Sequence, residues 1–230
     1  MELETATWKE TIGLGHTNVV SLDARGDKLY LGTRESVGLQ MMTPMTAYYL
    51  QELDVPNGTE GPSVNVPGAF LDYDSQQDLL TLLDHQWGFQ GAVKVNLETV
   101  RWSGDQNVAP LASLELPEYS YNHQGGDGRV YFESYEEGAA LYQVTVGNDG
   151  AMSLSAPADY GTSYGNLIDV TGDHAFVSVA GSAIAHYTFA DGIGTLTQRV
   201  ELTGYPSTVR VDNSAVYLPL GYYGLLTLPL

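Results

Sequence analysis

A chain of 230 residues with 43% apolar content holds enough material for one sizeable core or two small domains, which excludes a disordered protein. Its formal charge of −19 arises from a shortage of cations, 9 Lys and Arg against 28 Asp and Glu, so DNA, RNA and anionic membrane are repelled as partners. The absence of cysteine excludes a disulfide framework, thiol catalysis and thiolate metal sites. No apolar run approaches the roughly 18 residues of a membrane helix, so membrane insertion is not expected.

Taken in chain order, the opening MELETATWKET has neither the basic nor the apolar region of a signal peptide, and Met1 fits both an artificial start and the beginning of a piece cut from a longer secreted precursor. Beyond it the apolar residues alternate in short runs between Gly, Asn and Asp clusters, which is the pattern of strands and not of helices. One hairpin recurs five times: SLDARGDKLYLG (21–32), DYDSQQDLLTLL (72–83), NHQGGDGRVYFE (122–133), LIDVTGDHAFVSV (167–179) and TVRVDNSAVYLPL (208–220). The first strand residues after each turn, Leu29, Leu80, Val130, Ala175 and Val216, are spaced by 51, 50, 45 and 41 residues. Such periods suit four-stranded propeller blades, which run roughly 40 to 50 residues.

Within each copy an inner strand A leads through a polar turn, such as Gly26-Asp27, Gly172-Asp173 or Asp212-Asn213, into strand B. A loop follows at Gly32 to Gly38, Asp84 to Gly91, Ser134 to Gly138, Ala180 to Ser182 or Leu220 to Gly224. Strand C is expected as VGLQMM, AVKVNL, AALYQVTV, AIAHYTFA and GLLTLPL. An outer strand D is expected as YYLQELD (48–54), LASLEL (111–116), AMSLS (151–155) and LTQRVEL (196–202). The fifth copy has no strand D, and residues 5–14, TATWKETIGL, resemble the LTQRVELTGY that precedes the last hairpin. The sequence therefore predicts an all-β fold, a single β-propeller domain over residues 1–230 whose five four-stranded blades are closed by the N-terminal strand, which removes an open sheet edge. A window cut from a longer propeller would show the same staggered ends.

Residues 15–33, GHTNVVSLDARGDKLYLGT, resemble a WD40 repeat with its Gly-His pair and hairpin, and YPSTVRVDNSAVYLPLGYYGLLTLPL (205–230) resembles an LVIVD-type repeat. No Trp-Asp dipeptide closes a strand C, so the chain is similar to divergent bacterial propellers of secreted and cell-surface proteins. That resemblance implies a propeller fold and an extracellular or cell-surface location. It carries over no common activity.

Several motifs have simpler readings. Gly161-Thr162-Ser163-Tyr164-Gly165 matches a nucleophile elbow, with Asp169, His174 and His186 in hydrolase order, but a strand follows where the elbow needs a helix. Arg25-Gly26-Asp27 is an integrin-type tripeptide whose last two residues the hairpin already requires. Asp72, Asp74 and Asp149 offer calcium-type oxygen ligands without a complete EF-hand loop, so calcium stands beside a turn role and no other cofactor is expected. His16, His85, His123, His174 and His186 show no metal-ligand spacing. Asp23, Asp74, Gln124, Asp169 and Arg210 fall at one repeat position and are expected to ring the central channel or to cap their own hairpins.

Aromatic placement points furthest, with 16 tyrosines against 5 phenylalanines and 3 tryptophans. The B–C and D–A loops emerge on one face of a propeller. There they carry Trp87, Phe89, Tyr135, Tyr222 and Tyr223, together with His16, Tyr119, Tyr164 and Tyr205 and with Arg34, His85 and Glu136 nearby. Amphipathic rings on rigidly held loops suit a protein interface, and the same rings packed inward would cover the ends of the inter-blade cores. The expected function is a non-enzymatic binding or scaffolding propeller that presents this face to a protein partner. The alternative is a carbohydrate-binding or glycoside-active propeller using the channel carboxylates Asp23, Asp74 and Asp169.

If the acidic surface is a solvation device, moderate sodium chloride will raise the melting temperature by screening self-repulsion. Micromolar calcium that raises it further at equal ionic strength would instead assign Asp72, Asp74 and Asp149 to a calcium site.

Overall fold

A computed structural model describes residues 18–229; residues 26, 41–42, 88–92, 105–106, 137, 163, 180–182, 205, 207 and 212–214 lie outside that description. The predicted closing strand at 5–14 lies outside the described residues. Five antiparallel sheets follow one another along the chain. The first comprises β1 (Asn18–Arg25), β2 (Lys28–Gln40) and β3 (Thr43–Asp54), with the short β4 (Thr59–Glu60) and β5 (Val64–Val66) both paired to β3. The second is β6 (Ala69–Asp74), β7 (Leu79–Trp87), β8 (Val93–Arg101) and β9 (Ala109–Glu115). The third is β10 (Ser120–Gly126), β11 (Arg129–Ser134), β12 (Ala140–Val146) and β13 (Met152–Leu154), with β14 (Ala158–Asp159) also on β12. The fourth is β15 (Gly165–Thr171), β16 (His174–Val179), β17 (Ala183–Ala190) and β18 (Ile193–Glu201), and the fifth is β19 (Arg210–Val211), β20 (Ala215–Pro219) and β21 (Leu225–Pro229). Among the described residues no helix is long and apolar enough to cross a membrane.

Alternation along the strands sends successive side chains to opposite faces, and in the middle strands both faces are covered. Leu80 and Leu82 of β7 join Tyr30, Leu50, Phe70, Tyr73 and Trp102 in a core between the first and second sheets. Leu79 and Leu83 turn the other way and pack with Leu97, Val130, Phe132 and Val144 between the second and third. From β11, Tyr131 points into the next core with Leu141, Tyr160, Val177 and Tyr187. Phe176 and Ile184 then meet Val209, Val216 and Leu218 of the fifth sheet. Each such residue is worth about 1.5–3 kcal/mol when fully buried, which is why the strands read as near-continuous apolar runs and not as strict alternation.

The inner strands carry a repeated irregularity. The register shifts between Val19 and Ser21 in β1, Phe70 and Asp72 in β6, Tyr121 and Gln124 in β10, and Leu167 and Asp169 in β15. In β6, β10 and β15 the bulge immediately precedes Asp72, Gln124 and Asp169, whereas in β1 it falls earlier in the strand, at Val20; each bulge bends its strand and increases its twist. In β6 and β10 the residues just beyond it reach the neighbouring sheet. Asp72 Oδ2 accepts from the Gly128 amide at 3.3 Å, and Gln124 Nε2 donates to Leu167 O and Ile168 O, each at 3.4 Å. The β10–β11 turn has both central residues, Asp127 and Gly128, at positive φ (54° and 71°), the geometry that matches strand twist.

Two expectations are corrected in detail. In the first copy there is no loop at Gly32 to Gly38: β2 continues to Gln40, and YYLQELD pairs directly with it as the third strand, Tyr30 opposite Glu52. Gly38, at φ 134°, absorbs a register shift in place of a turn. In the second copy the inner position equivalent to Asp23, Gln124, Asp169 and Arg210 is Asp72 and not Asp74. Asp72 pairs with Thr81 as Gln124 does with Tyr131, whereas Asp74 begins a longer turn and its Oδ1 accepts from the Gln76 amide at 2.8 Å.

Gly68 shows how closely backbones approach: a Cβ there would lie 2.6 Å from Leu83 O and 2.9 Å from Asp84 N. Gly68→Ala is expected to cost about 1–3 kcal/mol in a urea melt. Gly126→Ala, where no atom lies within 4 Å of the new methyl group, should stay within about 0.5 kcal/mol.

Candidate functional site

At the end of the sheets that carries the β11–β12 connection, alternation places Glu133 on the same face of β11 as Tyr131, and its carboxylate has no solvent exposure. A buried carboxylate requires partners. Tyr160 donates its hydroxyl to Oε1 at 2.8 Å and the Asn122 amide donates to Oε2, while the same amide bonds Asn166 Oδ1 on β15 at 3.0 Å. Burial, followed by the Glu133 charge, pushes the Tyr160 hydroxyl far above the ordinary phenol range. Asn122 (φ 52°) and Tyr119 (φ 54°) occupy the left-handed region, which costs about 1–3 kcal/mol at a non-glycine residue. A bulky side chain such as Tyr119 rarely adopts it.

Four tyrosines stand over this base. The Tyr121 and Tyr135 rings are 5.8 Å apart, and Tyr135 donates its hydroxyl to Gly165 O at 2.7 Å. Burial raises the Tyr135 hydroxyl pKa, and the charges of Glu133, Tyr164 and Tyr121 add to the rise, which places all four groups within electrostatic reach. Tyr119 (62%), Tyr121 (48%) and Tyr164 (60%) are exposed, while Tyr135 is half-buried. Ser134 ties the approach by donating to Glu118 O at 2.9 Å.

The other predicted contact residues distribute around the same end of the sheets. Arg34, at the outer part of β2, is exposed, and His85 of β7 is half-buried. Burial lowers the His85 pKa, opposed by Asp84 and reinforced by Arg34; the same two charges act on Tyr48, whose hydroxyl burial raises. The His85 ring meets His123 edge-on at 6.1 Å, and His123 stacks on Phe132 at 5.8 Å. Tyr222 and Tyr223 lie on a single 3-10 turn, Gly221–Tyr223, and both are exposed. Trp87 ends β7 opposite Val93, and its side chain lies outside the described residues, as do Phe89, His16 and Tyr205.

A second feature is a cavity of about 510 Å³ between the inner strands, lined by residues of β1, β6, β10 and β15. His123, Gln124 and Asp169 line it; Asp23 and Asp74 do not. Asp169 is half-buried, its pKa raised by burial against the Val170 amide and the Arg210 charge, which favour ionisation. Glycosidic chemistry uses two carboxylates about 5–10 Å apart, and among the described residues Asp169 is the one carboxylate lining this cavity.

The remaining motifs take structural roles. Asp149 Oδ1 accepts from the Ala151 amide at 3.0 Å in the β12–β13 turn. His174 Nδ1 and His186 Nε2 share a 2.8 Å hydrogen bond, and the His186 ring stacks on Phe176 at 4.7 Å. Among the described residues no three His, Asp or Glu side chains come together to hold a metal ion. Asp27 is exposed at the β1–β2 turn, whereas the Arg25 side chain, Gly26 and Ser163 lie outside the described residues. Strand β15, and no helix, follows Gly161 to Tyr164.

Sequence reasoning missed Glu133, Tyr160, Asn122 and Tyr121. A signal existed for the first: in VYFES the alternation that buries Tyr131 also buries Glu133. Compared with known proteins, the chain matches no family model, and no curated protein matches it.

Burial carries the His123 and His186 pKa values down to about 4 from 6.5, with a neighbouring histidine as the smaller cause in each case. The folded state then binds fewer protons than the unfolded chain between these values. Their stabilisation is complete above pH 6.5 and is lost as pH falls toward 4, at about 1.4 kcal/mol per pH unit per histidine at most. Urea melts at pH 7.0, 5.5 and 4.5 should show this loss, and His123→Asn with His186→Asn should flatten it. An equal loss in the double variant would assign the acid sensitivity to carboxylates.

Proposed function

We propose that the five sheets are the blades of one propeller and that the molecule is a non-enzymatic binding or scaffolding module whose tyrosine-rich loop face receives a protein partner. For the propeller speak the four sheet-on-sheet cores in chain order, the inner strands β6, β10 and β15 bulged at a common position, and the residues beyond two of the bulges that bond the next sheet. Leu31 (3%) and Leu53 (5%) support ring closure: they are buried on the face of the first sheet that points away from Tyr30 and Leu50, and they belong to none of the four cores. That face requires a cover, which the fifth sheet and the N-terminal segment would supply.

The observation that carries the functional reading is the contrast at the third and fourth sheets, where exposed Tyr119, Tyr121 and Tyr164 stand on a base held by Glu133, Tyr160, Asn122 and Asn166. Left-handed backbone at Tyr119 and Asn122 is the kind of local cost that persists where a surface is specified. Rings fixed in advance lose little entropy on binding, and interface energy concentrates in such aromatic anchors. The partner is electrostatically neutral or basic at its contact surface, given the charge of −19.

The full chain on beads, exposed to secreted and surface proteins of its source, tests this reading. Tyr121→Ala, Tyr164→Ala and Tyr222→Ala should each lower retention of the captured protein by about 2 kcal/mol at a hot spot with the melting temperature held. Asp127→Ala, at the opposite end of the sheets, should bind as wild type. Loss of stability with retention intact would make the tyrosines core lids. Retention of glycans alone would favour the carbohydrate alternative.

A further inference from the structure

The tyrosine face combines exposed rings with negative charge. Tyr121 stands opposite Glu133 across the β10–β11 ladder, so an exposed ring and a buried carboxylate share one face of the sheet. Tyr135 lies beside that ring at 5.8 Å, the two planes inclined by 55°, and the Glu133 charge acts on Tyr135 as well. Among the described residues both hydrogen-bond partners of Glu133 are neutral, the Tyr160 hydroxyl and the Asn122 amide, so its charge is offset by dipoles alone. Tyr135 turns its hydroxyl to Gly165 O at 2.7 Å, which leaves the ring as what it offers to a ligand.

The surroundings of the pair are acidic and lack cations to balance them. Ser134 Oγ donates to Glu118 O at 2.9 Å and accepts from the Glu136 amide at 3.3 Å, so Glu118 and Glu136, both exposed, leave the same loop base as Tyr119 and Tyr135. From Glu118 to Tyr164 the sequence holds one Lys or Arg, Arg129. That residue starts β11 at the opposite end of the sheet and is ion-paired with Asp173 at 2.6 Å. Arg199, on the outer strand β18, is paired with Glu201 at 3.3 Å. Aromatic faces in a negative field that the chain does not neutralise attract a cation.

Exposure decides which cation. Tyr121 is 48% exposed, too open to enclose a quaternary ammonium group or to strip a lysine ammonium of its water. A guanidinium is planar and weakly hydrated, and it stacks on a ring while its edge N–H groups reach carboxylates beside it. Arginine and tyrosine are also the residues in which interface energy concentrates. We propose that this face takes an arginine side chain of the protein partner, the guanidinium stacked on the Tyr121 and Tyr135 rings in the field of Glu133 and its N–H edges met by Glu118 and Glu136. The assignment rests on the tyrosine face being the binding surface, and it narrows the partner to one with an exposed arginine.

Titration of the full chain with N-acetylarginine methylamide, at ionic strength fixed with sodium chloride and followed by NMR of the tyrosine rings, tests the proposal. Tyr121 and Tyr135 should shift saturably with a Kd on the order of 10 mM. The citrulline analogue, of the same shape without the charge, should bind about tenfold more weakly, and the lysine analogue about threefold more weakly. Tyr121→Leu should weaken the arginine compound about fivefold, Tyr121→Phe should keep its affinity, and Glu118→Gln with Glu136→Gln should weaken it severalfold. Tyr222→Leu, on the fifth sheet, should change nothing. Equal affinity for the citrulline analogue, a comparison that needs no variant, would overturn the assignment, as would full affinity in Tyr121→Leu or the absence of a saturable shift at Tyr121 and Tyr135. If the arginine compound fails in this way while a bead-retained protein still depends on Tyr121, the arginine assignment falls and the binding face stands; a retained protein indifferent to Tyr121 would remove both.

Discussion

Everything in this structure depends on the sheets covering one another. A three- or four-stranded antiparallel sheet with apolar residues on both faces has no stable existence in water, because each uncovered leucine or phenylalanine forfeits its burial. Strand β11 shows the constraint most plainly: Val130 and Phe132 serve one core and Tyr131 the other, and none of the three is solvent-exposed. A substitution there is felt by two interfaces at once. The aromatic contacts follow from the same demand, since Tyr30, Tyr73 and Trp102, with centroids 4.9 to 6.3 Å apart, fill a wedge that aliphatic side chains would leave with voids.

Stacking by itself sets no angle between sheets, and the inner strands supply one. The bulges of β6, β10 and β15 fall at one repeat position, and the side chains just beyond them link neighbours: Asp72 reaches Gly128, Gln124 reaches Leu167 and Ile168, and Asp169 feels the charge of Arg210. These links run along a single direction of the chain, each sheet holding the next. Gly125 belongs to the same device, since a Cβ there would press to 3.0 Å from Leu71 O. The cavity is the space this spacing leaves along the inner strands, so its shape is set by the same residues that fix the sheets.

Much of the architecture was legible because turn chemistry and alternation are local. The five hairpins, their order and the strands AALYQVTV and AIAHYTFA are found where the sequence places them. What failed was register across turns of unequal length. Two residues separate β1 from β2 and β10 from β11, but four separate β6 from β7, so counting back from the second strand selected Asp74 where the sheet uses Asp72. The long β2–β3 hairpin was obscured because Gly32 and Gly38 resemble turn residues, yet one lies within the ladder against Ser21 and the other at a bulge. The site was half legible: loop tyrosines are visible in a sequence, but the group beneath them is not. Glu133 looks like any acidic residue near a strand end until Tyr160, 27 residues later, and Asn122, 11 residues earlier, are brought to it from other elements.

The Glu133 network also bears on what kind of surface lies above it. A fully buried carboxylate contributes little net stability against an apolar replacement of similar volume, so packing alone does not account for its position. What it does is fix geometry. Its two oxygens hold Tyr160 from below and Asn122 from the inner strand, and Asn122 in turn bridges to Asn166 of the next sheet, so one charge sets the relative position of β10, β11 and β15. The tyrosines on that base inherit its rigidity, since Tyr135 is anchored at Gly165 and Tyr121 lies against Tyr135. Loops that only needed to reverse the chain would be served by glycine and asparagine. Here a strained, charge-anchored base carries exposed aromatic rings held in one arrangement, the feature on which the proposed binding role rests.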